Sequence, residues 1–128
     1  MHKNLFIIIL FFICPLSYAD LGQIYVNSYL QQKLHAKITI NNISDDIPTI
    51  TIASAEQFKK LELDYSSDIG LLRSKLIKSY NGTYELHITS LKPINSPIIN
   101  ILLHYQIGTN DMYKQYTILL DPINLNNT

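Results

Sequence analysis

The chain contains one cysteine, Cys14, and no tryptophan. Cys14 sits in an N-terminal apolar stretch, so the region beyond it folds without a disulfide and without a cysteine nucleophile. Arginine is nearly absent too. Arg73 stands alone, and no basic run exceeds two residues. Ten basic groups balance ten acidic ones. A nucleic-acid binder needs a basic stripe to meet phosphates, and this chain has none. No internal repeat or heptad array is visible either.

What is present begins with a leader. His2 and Lys3 precede an unbroken apolar run over 5–13, and Ser17-Tyr18-Ala19 offers small residues at both positions a signal peptidase reads. This is the pattern of a secretory signal peptide over residues 1–19, cleaved before Asp20. Pro15 ends the run short of the about 20 apolar residues a spanning helix needs. The mature chain is therefore not expected to span a membrane. The remainder is long enough for one domain over 20–122, with a polar tail over 123–128. An exported domain without disulfides suits the bacterial periplasm better than a small eukaryotic secreted scaffold.

The strongest local pattern lies over 97–122. Ile99, Ile101, Leu103, Tyr105 and Ile107 alternate with a mixed set, and Tyr116, Ile118 and Leu120 repeat the alternation after a polar turn at Gly108-Thr109-Asn110-Asp111. Period-two alternation of this kind marks a hairpin with one face in a core. Upstream, Leu34, Ala36, Ile38 and Ile40 alternate with His35, Lys37, Thr39 and Asn41. A first strand carries Ile24 and Val26 inward, and a short one at 49–53 carries Ile50 and Ile52 inward. Ser54 to Gln57 fits a capping box, which predicts one short helix over 55–62. Asn81-Gly82 predicts a two-residue hairpin turn between strands at 72–80 and 83–90. That turn would set Ile77 against Leu86, Lys78 against Glu85, and Leu76 against His87 on the outer face, where nothing accounts for Leu76. Seven strands, one short helix and regular turn signals predict an all-β, immunoglobulin-like Greek-key sandwich, with a small barrel as the competing architecture.

Four blocks of sequence resemble a known family. Val26-Asn27-Ser28 with Leu30, Gln32, Leu34, Ala36 and Ile38 is similar to the opening of the N-terminal periplasmic domain of the FimV/HubP family. Ile52-Ala53-Ser54 with Glu56 and Phe58 resembles the next block. Ile88-Thr89-Ser90, Pro97 and Asn100-Ile101-Leu102 resemble a third, and 116–122 resembles the closing motif. The resemblance implies a periplasmic domain and an interaction surface on it. It implies protein partners in type IV pilus or type II secretion assembly and motility. Family members usually add a peptidoglycan-binding LysM module, a membrane helix and an acidic cytoplasmic tail, and none is recognisable in this sequence.

No catalytic or cofactor signature stands beside that resemblance. His35, His87 and His104 fall on the polar faces of strands, without the spacing that aims two imidazoles at one metal. No serine lies in a strained nucleophile turn. Asp45-Asp46 with Asn41, Asn42 and Ser44 lacks the alternating ligands of a calcium loop. The expectation is a non-enzymatic protein that needs no cofactor or metal. Tyr25, Asn27 and Tyr29, on the outer side of the first strand region, are the candidate protein-binding residues, because surface aromatics mark interfaces. Packing at the core edge is the competing reading for these tyrosines. A peptidoglycan- or carbohydrate-binding module is the alternative function, since aromatics on a sheet face suit sugar stacking.

Overall fold

The computed structural model describes residues 20–41, 48–107 and 109–123. The expected signal peptide, the Asp45-Asp46 loop and the end of the tail lie outside the described residues, as does the side chain of Ile107. Among the described residues seven strands run in order: β1 (Asp20–Val26), β2 (Lys33–Asn41), β3 (Thr49–Ile52), β4 (Leu72–Lys78), β5 (Tyr84–Pro93), β6 (Ile98–Ile107) and β7 (Asn110–Leu119). One sheet has the order β1-β2-β5-β4 and the other β3-β6-β7, all antiparallel. Labelled A to G in chain order, these are the ABED and CFG sheets of a constant-type immunoglobulin sandwich. The barrel alternative is set aside by the two separate sheets.

Alternation builds the core as the pattern requires. Leu34, Ala36, Ile38 and Ile40 of β2 are buried, and so are Leu86 and Ile88 of β5. From the other sheet come Ile99, Ile101, Leu103 and Tyr105 of β6, with Tyr116 and Ile118 of β7 and Leu120 just beyond it. Ser90 is the one buried polar residue among those described. Its hydroxyl accepts from the Leu34 N–H at 2.7 Å and donates to the Lys92 carbonyl at 2.6 Å. It thereby satisfies backbone groups where the β2–β5 register shifts between Lys33 and His35.

The helix α1 (Ala55–Lys60) forms with the expected capping box, two residues shorter than predicted. Its end is a Schellman motif. The Leu63 N–H reaches the Phe58 carbonyl at 2.9 Å and the Glu62 N–H reaches the Lys59 carbonyl at 3.0 Å. Glu62 takes the left-handed position with φ 58°, where glycine is usual. The following stretch contains a 3-10 turn, Ser67–Leu71, whose Ser66 side chain accepts from the Asp68 N–H.

The β4–β5 hairpin corrects the predicted register. Ser79 donates to the Thr83 carbonyl at 2.7 Å, and Gly82 donates to the Ser79 carbonyl at 3.1 Å. Gly82 alone has positive φ, at 91°, and Asn81 does not. This is a three-residue turn with a glycine bulge, not the two-residue turn in which both central residues are left-handed. The extra residue moves the pairing by one position: Leu76 faces Leu86 and Ile77 faces Glu85. Leu76 thus packs against the core, and Ile77 is the exposed residue instead. The β6–β7 turn is also tighter than expected, since Asn110 and Asp111 pair with Ile107 and Gln106 as part of β7.

Candidate functional site

The end of β1 and the turn after it hold the three predicted residues. Ile24 and Val26 lean inward, half-buried, so Gln23, Tyr25 and Asn27 point out. The backbone beyond β1 is tied down at several points. Asn27 donates to the His35 carbonyl at 2.7 Å, and Ser28 Oγ accepts from the His35 N–H at 2.9 Å. Leu30 donates to the Asp121 carbonyl at 2.9 Å and Gln31 to the Ile94 carbonyl at 2.7 Å. The Gln32 side chain accepts from the Tyr29 N–H at 2.9 Å. The turn is therefore stitched to the end of β7 and to the chain leaving β5.

On this platform Tyr25 is 53% exposed and Tyr29 50%. Asn27 and Tyr29 line a shallow hollow with Val26, Ser28, Leu119 and Asp121. Tyr25 is not part of that lining. It lies across from Lys37 on the outer face of the β1-β2-β5-β4 sheet. The structure thus brings Asn27 and Tyr29 together and sets Tyr25 on a neighbouring surface. Leu119, 61% exposed, and its cross-strand neighbour Ile98, 57% exposed, extend the apolar surface beside Tyr29. The sequence singled out neither, because both fall on the outward faces of strands whose regular alternation draws attention to the core-facing side.

The histidines separate into two settings. His87 contacts Glu85 at 3.0 Å, with Lys37 at 3.8 Å from the same carboxylate, all partly solvated. Pairs of this kind contribute little. His104 is more enclosed than a surface strand histidine, with its side chain 14% exposed. Its Nε2 meets Asp111, its ring stacks on Tyr113 at 4.5 Å between centroids, and Nδ1 meets Gln57 Nε2 at 3.2 Å. Gln57 Oε1 is committed to the Ser54 N–H in the capping box, so its amide nitrogen must be the donor to His104. Nδ1 therefore accepts and Nε2–H donates to Asp111. The arrangement is the reverse of a hydrolytic triad, in which the carboxylate holds Nδ1 and the nucleophile meets Nε2: here Asp111 holds Nε2 and an amide meets Nδ1. The cluster fastens α1 to the outer face of β6 and β7. Leu102, 3% exposed, is buried on that same outward-facing side of β6.

No group of three or more metal-ligating side chains occurs among the described residues, and no helix among them is long and apolar enough to cross a membrane.

The comparisons agree with this architecture. A family model described as the FimV N-terminal domain, Ig-like, matches residues 19–123. Two relatives named motility hub protein FimV, from Pseudomonas aeruginosa strains PAO1 and UCBPP-PA14, are each 32% identical over 107 residues. The match covers 80% of this chain but only 11% of those proteins. No solved structure matches. The chain belongs to the family of FimV N-terminal, Ig-like domains.

Proposed function

We propose that this domain is a non-enzymatic protein–protein interaction module of the periplasm, accessory to type IV pilus or type II secretion assembly and to motility. Family membership and the relatives' name, motility hub protein, support the setting. The match covers one β-sandwich, so the reading is confined to what such a domain does alone, which is to present a surface. The observation that carries it is half-exposed Tyr29 beside Asn27, on backbone pinned to three other segments, with half-exposed Tyr25 on the adjoining sheet face. Rigid aromatics bury much area at little conformational cost, which suits them to anchor a partner.

The test is co-purification from native periplasm with the tagged full chain, followed by mass spectrometry. A pilus or secretion component should be recovered. Replacing Tyr25 and Tyr29 with Ser should abolish recovery while leaving the melting temperature unchanged. Unchanged recovery sinks the site assignment. Retention of the chain by purified sacculi, lost in the same double variant, would favour the wall-binding alternative.

A further inference from the structure

Four strands form the edges of the two sheets, and three of them carry devices that discourage pairing. β1 is bulged between Leu21 and Ile24. β4 presents Arg73, Lys75 and Lys78. β3 has four residues and follows Pro48. Bulges, cations and short length are the usual protections of an edge. β7 is different. It is ten residues long, contains no proline, and keeps unbroken register with β6 from Leu119 to Asn110. Its one lysine, Lys114, is exposed on the side of the strand that faces β1, and its ammonium is held there by the Leu21 carbonyl at 3.0 Å, off the outer face.

The free side of β7 can be assigned residue by residue. Leu120 donates to the Pro97 carbonyl at 2.8 Å, which fixes the hydrogen-bonding phase. Antiparallel pairs alternate between bonded and non-bonded positions. Met112, Lys114, Tyr116 and Ile118 therefore bond toward β6. Asp111, Tyr113, Gln115, Thr117 and Leu119 direct their backbone N–H and C=O groups away from it. No described strand pairs with that side. The side chains of these five residues are all exposed on the outer face of the sheet.

We propose that β7 pairs antiparallel with β7 of a second copy of this chain, with Gln115 facing Gln115 across the two-fold axis. An isologous contact requires a surface complementary to itself, and this strand provides one. The register centred on Gln115 overlaps all five outward residues. It sets Tyr113 against Thr117 twice, an aromatic with β-branched pairing that sheets favour. It sets Lys114 against the Tyr116 ring of the other copy, and Asp111 against Leu119. No like charges meet. The register centred one residue earlier would set Lys114 against Lys114. The chosen register also brings Tyr113 diagonally beside the exposed Leu119 of the other copy. The result is one continuous six-stranded sheet. Pairing along a single edge lies at the small end of specific interfaces, below about 1,200 Å², so the dimer is a weak one.

Sedimentation velocity of the full chain, from micromolar to millimolar concentration, tests this. Wild type should show a monomer–dimer equilibrium. Gln115→Lys and Gln115→Glu place like charges on the axis, and each should weaken association several-fold without changing the thermal melt, because Gln115 is exposed. An equimolar mixture of the two variants should restore association. A wild type that stays monomeric at millimolar concentration overturns the proposal and leaves the edge to a different chain. A dimer indifferent to charge at 115, or variants that fail to recover on mixing, overturns it equally.

Discussion

The hydroxyl of Tyr116 on β7 donates to the Gly22 carbonyl on β1 at 2.6 Å, joining the two sheets across one side of the sandwich. The bulge in β1 explains why that carbonyl is available. Gly22 lies where the β1–β2 register breaks between Leu21 and Ile24, and Leu21, opposite Ile40, turns its carbonyl to the open edge by ordinary strand alternation. Lys114 takes the Leu21 carbonyl and Tyr116 takes that of Gly22. Tyr116→Phe keeps the ring and removes the donor to a partly buried carbonyl. It should lower unfolding stability by about 1 kcal/mol. Urea denaturation with an unchanged m-value would check this.

Gly22 is needed at the same bulge for a steric reason. A Cβ built there would lie 2.9 Å from the Thr39 carbonyl oxygen, a backbone atom held in β2 that cannot swing aside. Gly22→Ala should therefore cost about 1–3 kcal/mol through forced displacement of β1. The loss should exceed that of Tyr116→Phe, and the two should not add, because they act on one clasp. A double-mutant cycle in urea reads both statements.

At the end of α1, Glu62 occupies a left-handed position that favours glycine. An L-residue with a Cβ is penalised there, and the two Schellman hydrogen bonds do not depend on the side chain. Glu62→Gly should raise stability by about 0.5–1 kcal/mol, the relief of strain exceeding the added freedom of the unfolded chain. Calorimetry should show a higher melting temperature. A lower one would mean that the Glu62 side chain contributes something the backbone geometry does not reveal.

Much of this fold was legible because burial imposes parity. Leu34 to Ile40 and Ile99 to Tyr105 alternate so regularly that strand, face and partner layer all follow. The capping box at Ser54 was legible because two side chains and two backbone donors must satisfy one another locally. The β4–β5 register was not legible from its turn. Asn81-Gly82 fits a two-residue turn and also a three-residue turn with one left-handed glycine, and one residue of difference exchanges the faces. The burial pattern held the better clue: Leu72 and Leu76 share a parity that matches Leu86 and Ile88 only in the observed pairing. The hollow beside Tyr29 depended on contacts far apart in sequence, from Leu30 to Asp121, that no local pattern announces. The His104 cluster likewise joins residues 47 apart.

The turn itself can be tested. In the two-residue form both Asn81 and Gly82 would need positive φ, whereas here only Gly82 does. Asn81 instead uses its side chain, whose Oδ1 accepts from the Thr83 N–H at 3.2 Å and the Thr83 hydroxyl at 2.8 Å. Gly82→Ala should cost about 1 kcal/mol or more, because alanine is strained at that angle. Asn81→Asp keeps an acceptor and should cost less than half of that. Comparable losses at the two positions in thermal melts would argue for the two-residue turn.

Gln57 offers the most informative single substitution, because three different contacts converge on one amide. Its Oε1 caps α1 at the Ser54 N–H, and its Nε2 reaches both His104 Nδ1 and the Tyr113 hydroxyl. The cap fixes which end of the amide faces His104, and that in turn fixes the imidazole tautomer. Nitrogen-15 NMR of the wild type should show His104 carrying its proton on Nε2, with Nδ1 unprotonated. Ser54→Ala removes the hydroxyl that accepts from the Gln57 N–H and should cost about 1 kcal/mol, leaving the tautomer unchanged, since the Ser54 N–H remains. Gln57→Ala should cost more, because it removes the side-chain half of the cap and strands a partly buried imidazole nitrogen. It should also shift the His104 ring resonances, which Ser54→Ala should not. If Gln57→Ala leaves those resonances in place, the amide does not orient the imidazole, and α1 is held on the sheet by Phe58 packing alone.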